Sequence, residues 1–139
     1  MDNGQLKENV LKDKSYKFAL RIVNLYKHLC SEKKEYVLSK QILRSGTSIG
    51  ANVTEANQAQ SKSDFVHKLA ISLKEAVETE YWLCLLRDGE FLSIIQAESL
   101  IEGCKELIRL PLLRLKPPKS KTNNYPLSIV RYTLNLCLI

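Results

Sequence analysis

The chain predicts an all-α protein: an antiparallel up-and-down four-helix bundle with an atypical C-terminal tail. Three observations predict it. Apolar residues recur at three- and four-residue steps through most of residues 13–110, the period of amphipathic helices. Helix start and stop residues interrupt that pattern at short intervals. Only 5 glycines and 4 prolines occur in 139 residues, few for a many-turned β-protein. A chain of this length fits a single domain with a real core.

Residues 1–12 are polar and are expected to form a flexible N-terminus. Helix one is expected from Asp13 to Ser31. Tyr16, Ala19, Leu20, Val23, Tyr26 and Leu29 form its stripe, with Phe18, Ile22, Leu25 and Cys30 beside them. Lys33, Lys34 and Glu35 make a charged connection.

Helix two is expected from Tyr36 or Ser39 to Ala59, with Val37, Leu38, Ile42, Ile49, Val53 and Ala56 on its apolar face. Arg44-Ser45-Gly46-Thr47-Ser48 has the composition of a turn. The apolar period nevertheless runs straight through it, so the helix is read as continuous with a weak middle. A helix-interior glycine costs ~1 kcal/mol, so packing must compensate for Gly46 and Gly50. Small residues at Ser45, Gly46, Ser48, Gly50 and Ala51 let another helix approach closely.

Gln60-Ser61-Lys62-Ser63 is a break, with Ser61 and Ser63 as rival N-caps. Helix three is expected from Ser63 to Arg87. Its core face is read as Phe65, Leu69, Leu73 or Ser72, Ala76, Val77, Glu80 or Tyr81, and Cys84. Gly89 is the expected left-handed residue closing it. Ser93 and Gln96 form a capping box for helix four, which is expected from Ile94 to Leu110 and to stop at Pro111. Its inward residues are Ala97, Leu100, Ile101, Cys104, Leu107 and Ile108. The bundle domain is thus residues 13–110. Residues 111–139 form a basic linker and an apolar, β-branched tail, expected to be poorly ordered.

The net charge is +6, but residues 111–139 hold Arg114, Lys116, Lys119, Lys121 and Arg131 with no acid. The 16 basic and 15 acidic residues of residues 1–110 nearly cancel. Basicity therefore points to acidic partners mainly through the tail. The four cysteines (Cys30, Cys84, Cys104, Cys137) form no CxxC pair and read as reduced thiols. The start shows no signal-peptide pattern, and no apolar run reaches membrane-spanning length; a cytoplasmic protein without membrane contact is expected.

No catalytic or metal motif is complete. Gly46-Thr47-Ser48-Ile49-Gly50 lacks the lysine of a phosphate loop and follows no strand. His28 and His67 are isolated on separate helices. Glu75 and Glu78 share a helix face near Trp82, but a di-iron bundle requires Glu-x-x-His motifs that are absent. No catalytic residue, metal ligand or cofactor is therefore assigned, and no enzyme is expected.

The polar residues of helices two and three read instead as a structural network. Arg44, Asn52 and Glu55 face a helix that offers Glu75, Glu78 and Tyr81, and Arg44 is expected to pair with one of the two glutamates. Such networks specify one arrangement of helices or subunits when every member is satisfied. Candidate nucleic-acid contacts are Lys14, Lys17 and Arg21 on helix one, and Lys33, Lys34 and Lys40 around the first connection.

Leu43-Arg-Ser-Gly-Thr-Ser-Ile-Gly-Ala-Asn-Val-Thr-Glu-Ala56, Ser63-Asp-Phe65 and Leu73-Lys-Glu-Ala-Val-Glu-Thr-Glu-Tyr-Trp-Leu83 resemble the four-helix-bundle proteins encoded in intervening sequences of bacterial 23S rRNA genes. The resemblance covers residues 13–110. That family is similar in fold to the accessory protein of diversity-generating retroelements, a basic pentameric barrel that binds a reverse transcriptase and nucleic acid. The resemblance implies a bacterial homo-oligomer, a homopentamer, with RNA or DNA as ligand and no known catalysis. Its matched polar positions are Arg44, Ser45, Thr47, Ser48, Asn52, Glu55, Lys74, Glu75, Glu78 and Tyr81, taken as packing and subunit-contact residues. Residues 111–139 depart from the family, and the near-neutral bundle departs from its more basic relatives.

The leading expectation is a non-enzymatic oligomeric bundle that binds structured RNA or DNA or scaffolds a nucleic-acid enzyme. The alternative is a protein-interaction scaffold without nucleic-acid contact.

Overall fold

The computed structural model describes the backbone of residues 3–115 and the side chains of residues 10–115. Among the described residues four helices form: α1 (Asn3–Ser31), α2 (Leu38–Ala56), α3 (Lys62–Asp88) and α4 (Ile94–Arg114). Among the described residues there is no strand. The protein is all-α.

Neighbouring helices pair in opposite directions, consistent with an up-and-down bundle. A Cβ on Gly46 would meet Ile22, and one on Gly50 would meet Ser15, so α1 and α2 run antiparallel. Lys14 bonds Glu106 and Arg21 bonds Ser99, so α1 and α4 do the same. The core lies along the shared axis, with Ile22, Ile49, Leu69, Leu83 and Cys104 fully buried.

α1 starts ten residues before the expected Asp13. Leu11 is fully buried and anchors the helix one turn earlier. No proline lies upstream, and extending a formed helix costs far less than nucleating one. The buried face also differs from the expected stripe. Leu11, Ser15, Phe18, Ile22, Leu25 and Leu29 face inward, whereas Tyr16 (65% exposed) and Leu20 face out. Two apolar rows interleave on this helix, and Phe18, Ile22 and Leu25 are the ones that meet the core.

α2 runs unbroken through Arg44–Ser48. Its small hydroxyl residues bond back to their own helix. Thr47 donates to the Leu43 carbonyl (2.7 Å), Ser48 to that of Arg44 (2.6 Å) and Thr54 to that of Gly50 (2.8 Å). The glycines are explained by contact with α1: a Cβ at Gly46 would lie 2.8 Å from Ile22, and one at Gly50 would lie 3.3 Å from the Ser15 carbonyl oxygen. The helix ends at Ala56, three residues before the expected Ala59, in a tight turn where Gln58 and Ala59 donate to the Glu55 and Ala56 carbonyls.

α2 has no side-chain cap from its own N-cap residue, Val37. Glu35 caps it from outside. One carboxylate oxygen accepts from the amides of Val37 (3.0 Å) and Leu38 (2.9 Å), and the other from Ser39 (2.7 Å). Burial would raise the Glu35 pKa, but the amides of Leu38, Ser39 and Val37 together outweigh it and hold the carboxyl below its ordinary value.

Ser61, rather than Ser63, caps α3 by accepting from the Asp64 amide (3.1 Å). The buried face of α3 is Leu69, Ser72, Leu73, Ala76, Thr79, Leu83 and Leu86. This corrects the expected passage through Glu80 or Tyr81 and Cys84: the stripe steps regularly by three and four through Thr79. Gly89 is not left-handed (φ −79), and Glu90 holds that conformation instead (φ 64). Glu90 donates to the Arg87 carbonyl and Phe91 to that of Leu86, the paired bonds of a Schellman end with Glu90 at C′.

The capping box of α4 forms as expected, with Ser93 and Gln96 exchanging bonds. Pro111 does not stop the helix. Pro111, Leu112 and Leu115 continue the buried row of Leu107 and Ile108, and the Leu115 amide bonds the Pro111 carbonyl (3.0 Å). Apolar burial beyond the proline outweighs its lost hydrogen bond. The expected linker and tail from residue 116 onward lie outside the described residues. Among those described, no helix is long and apolar enough to cross a membrane.

Candidate functional site

The α2–α3 interface carries a row of polar contacts along its length. Arg44 reaches Glu78 and lies 3.5 Å from Glu75, the pairing expected from sequence. Trp82 donates its indole N–H to the same Glu78 oxygen (3.2 Å). One step inward, Thr79 Oγ1 lies 2.9 Å from Ser45 Oγ and 2.7 Å from the Glu75 carbonyl. Further along, Ser72 donates to the Ile49 carbonyl (3.0 Å), and Lys68 closes the row on Glu55 (2.6 Å).

The row grades from surface to core. The side chains of Arg44, Glu78 and Glu75 are 52%, 35% and 19% exposed, while Ser45, Ser72 and Thr79 are fully buried. Glu78 and then Glu75 raise the Arg44 pKa, so the guanidinium stays charged. Solvent screens a pair this exposed, and its net value is under ~1 kcal/mol. The buried hydroxyls matter more, because an unsatisfied buried donor or acceptor costs ~1–3 kcal/mol.

Not every expected member joins the row. Thr47, Ser48 and Asn52 bond carbonyls of their own helix. Lys74 and Tyr81 face solvent, Tyr81 packing edge-on against Trp82 with ring centroids 5.2 Å apart. Thr79, Lys68 and Trp82 belong to the row but were not singled out by sequence. The signal for Thr79 was its place in the three-four stepping of Leu69, Ser72, Ala76, Leu83 and Leu86.

The candidate nucleic-acid contacts divide into two sets. Lys14 pairs with Glu106 (2.7 Å), Lys17 pairs with Asp13 (2.9 Å), and Arg21 donates to the Ser99 hydroxyl (2.7 Å). Lys33, Lys34 and Lys40 are exposed and have no ion pair among the described residues. Of the two acids flanking Lys33 and Lys34, Glu32 is exposed, while Glu35 has its carboxylate turned to the α2 amides.

Among the described residues no group of three or more His, Cys, Asp or Glu is placed to hold a metal ion. Cys104 donates to the Ala76 carbonyl (3.0 Å), and burial pushes its thiol pKa up to about 12.

The helices and the polar seam between α2 and α3 define an all-α helical-bundle protein. The chain belongs to the 23S rRNA-intervening sequence protein family, whose pattern matches residues 7–111. A crystal structure of a protein of unknown function from the S23 ribosomal protein family of Bacteroides thetaiotaomicron is similar to it, with 58% identity and a TM-score of 0.79. That similarity covers 80% of this chain and 99% of the other. No functionally curated protein matches.

Proposed function

We propose that this protein is a non-enzymatic, homo-oligomeric bundle that binds RNA or DNA through the end carrying the α1–α2 connection. One observation carries the reading: Lys33, Lys34 and Lys40 cluster at this end, exposed and without an ion pair among the described residues, whereas Lys14, Lys17 and Arg21 on α1 are engaged with neighbours. A phosphate meeting the first set displaces only water and counterions, while one meeting the second must compete with an existing partner.

Self-association has its own support. Tyr16 and Leu20 are exposed on α1. Beside Tyr16, a cleft of about 470 Å³ is lined by Ala19, Thr47, Gly50 and Ala51. Resemblance to a pentameric barrel implies a ring of five, in which each weak basic end is repeated and binding gains through avidity.

The test is affinity for labelled RNA and DNA across a salt series, with the full chain and with a chain ending at residue 115. Binding that weakens steeply with salt in both supports the reading. Binding that needs residues 116–139 assigns it to the tail. Capture of a protein partner with no nucleic-acid affinity favours the scaffold alternative. Native mass spectrometry measures the ring size.

A further inference from the structure

The α1–α2 connection carries a second unexplained feature. Tyr36 and Val37 are 53% and 72% exposed, separated from Lys33 and Lys34 by Glu35 alone. Tyr36 makes no ring contact or hydrogen bond among the described residues. The segment is nonetheless held in place. The Glu35 amide donates to the Leu29 carbonyl (2.9 Å), and its carboxylate grips three amides of α2. Lys34 sits at φ 52, a left-handed conformation that a side chain adopts only where its surroundings require it.

The amides at the α2 N-terminus, the usual anion site of a helix, already hold Glu35. A phosphate must therefore be met by the lysines. Lys33 and Lys34 precede Tyr36, and Lys40 follows it on the first turn of α2. Lys33 also borders a cleft of about 870 Å³ reaching to Phe91 on the α3–α4 connection. Asp88, Glu90 and Glu98 line that cleft as well, so a phosphate backbone is favoured on the lysine side.

We propose that this segment binds an unpaired nucleotide run, a loop or a free end, with a base stacked on Tyr36 and the flanking phosphates on Lys33, Lys34 and Lys40. The proposal rests on the nucleic-acid reading above and deepens it from charge to strand type. A duplex hides its base faces in its own stack, whereas an unpaired base offers a face to an exposed ring. Val37 extends the apolar ledge beside it. Stacking is tolerant of sequence, so selectivity is expected for unpaired over paired strands rather than for one base.

The experiment uses the full chain. Affinities for a labelled mixed-sequence single-stranded RNA and for its duplex are measured for wild type, Tyr36→Ala, Tyr36→Phe and the double variant Lys33→Gln/Lys34→Gln. Thermal melting checks that the substitutions leave the fold intact, as their exposure predicts.

The single strand is expected to bind more tightly than the duplex. Tyr36→Ala should weaken single-strand binding about tenfold, leaving the duplex and the salt slope unchanged, while Tyr36→Phe retains binding. The lysine variant should lower the single-strand salt slope by about 1.4. Equal affinity for both strand types with no loss in Tyr36→Ala overturns the strand assignment and leaves the nucleic-acid reading standing. No binding of either overturns both.

Discussion

Thr79 of α3 and Ser45 of α2 meet hydroxyl to hydroxyl at 2.9 Å, both fully buried. Thr79 is also 2.7 Å from the Glu75 carbonyl. With one proton, Thr79 donates to that carbonyl and receives the proton of Ser45, so both hydroxyls are satisfied. The contact fixes the register of α2 on α3 at the middle of the seam.

Thr79→Val preserves shape and leaves the Ser45 hydroxyl without a partner. A loss of about 1–2 kcal/mol is expected in urea unfolding. Ser45→Ala alone should cost less, since Thr79 keeps its carbonyl acceptor. In the double variant the loss should fall short of the sum, and the cycle measures the coupling.

Gly46→Ala adds a methyl 2.8 Å from two carbons of Ile22, which is fully buried and cannot swing aside. The helix gains ~1 kcal/mol in propensity, but overpacking costs ~1–3 kcal/mol, so net destabilisation is expected. Ile22→Ala removes both clashing atoms and opens a cavity of its own. Combined with Gly46→Ala, it should cost less than the two single losses added. Thermal unfolding of the four proteins checks this.

The cap on α2 makes part of the stability pH-dependent. The folded-state pKa of Glu35 is lowered, so its contribution is present above the ordinary carboxylate value near 4.5 and is lost as pH falls through the depressed folded value. Glu35→Ala should cost about 1–2 kcal/mol at pH 7, in the range of other caps. The difference from wild type should shrink below pH 4.5 and vanish in stronger acid. Urea midpoints from pH 7 to pH 2.5 measure it.

Cys104 is buried, and its thiol pKa of about 12 leaves it neutral at any pH at which the protein is handled. Cys30 and Cys84 are only partly buried. Timed alkylation at pH 8 with peptide mass spectrometry should modify both before Cys104, which reacts only on unfolding.

Much of this fold was legible because helical periodicity reports burial directly. The run through Arg44–Ser48 read correctly as helix because the spacing of Ile42, Ile49 and Val53 outweighs local turn composition. The face of α1 was not legible: Tyr16 and Leu20 form as regular a row as Phe18, Ile22 and Leu25, and only the approach of α2 and α4 selects between them. Pro111 was misread because its local cost was visible, whereas the burial of Leu112 and Leu115 beyond it was not. The cap by Glu35 depends on a carboxylate folding back onto three amides, for which sequence spacing offers no strong signal. Nor could sequence separate Lys14, Lys17 and Arg21 from Lys33, Lys34 and Lys40, because the distinction lies in partners such as Glu106 and Ser99, far along the chain.

The most direct measurement is the salt dependence of RNA affinity for two triple variants of the full chain. One replaces Lys33, Lys34 and Lys40 with Gln; the other replaces Lys14, Lys17 and Arg21. The first should lose affinity and lower the slope of log affinity against log salt by about 2, while the second should keep the wild-type slope. An unchanged slope in the first variant, or a larger drop in the second, would contradict the placement of the nucleic-acid surface at the α1–α2 end.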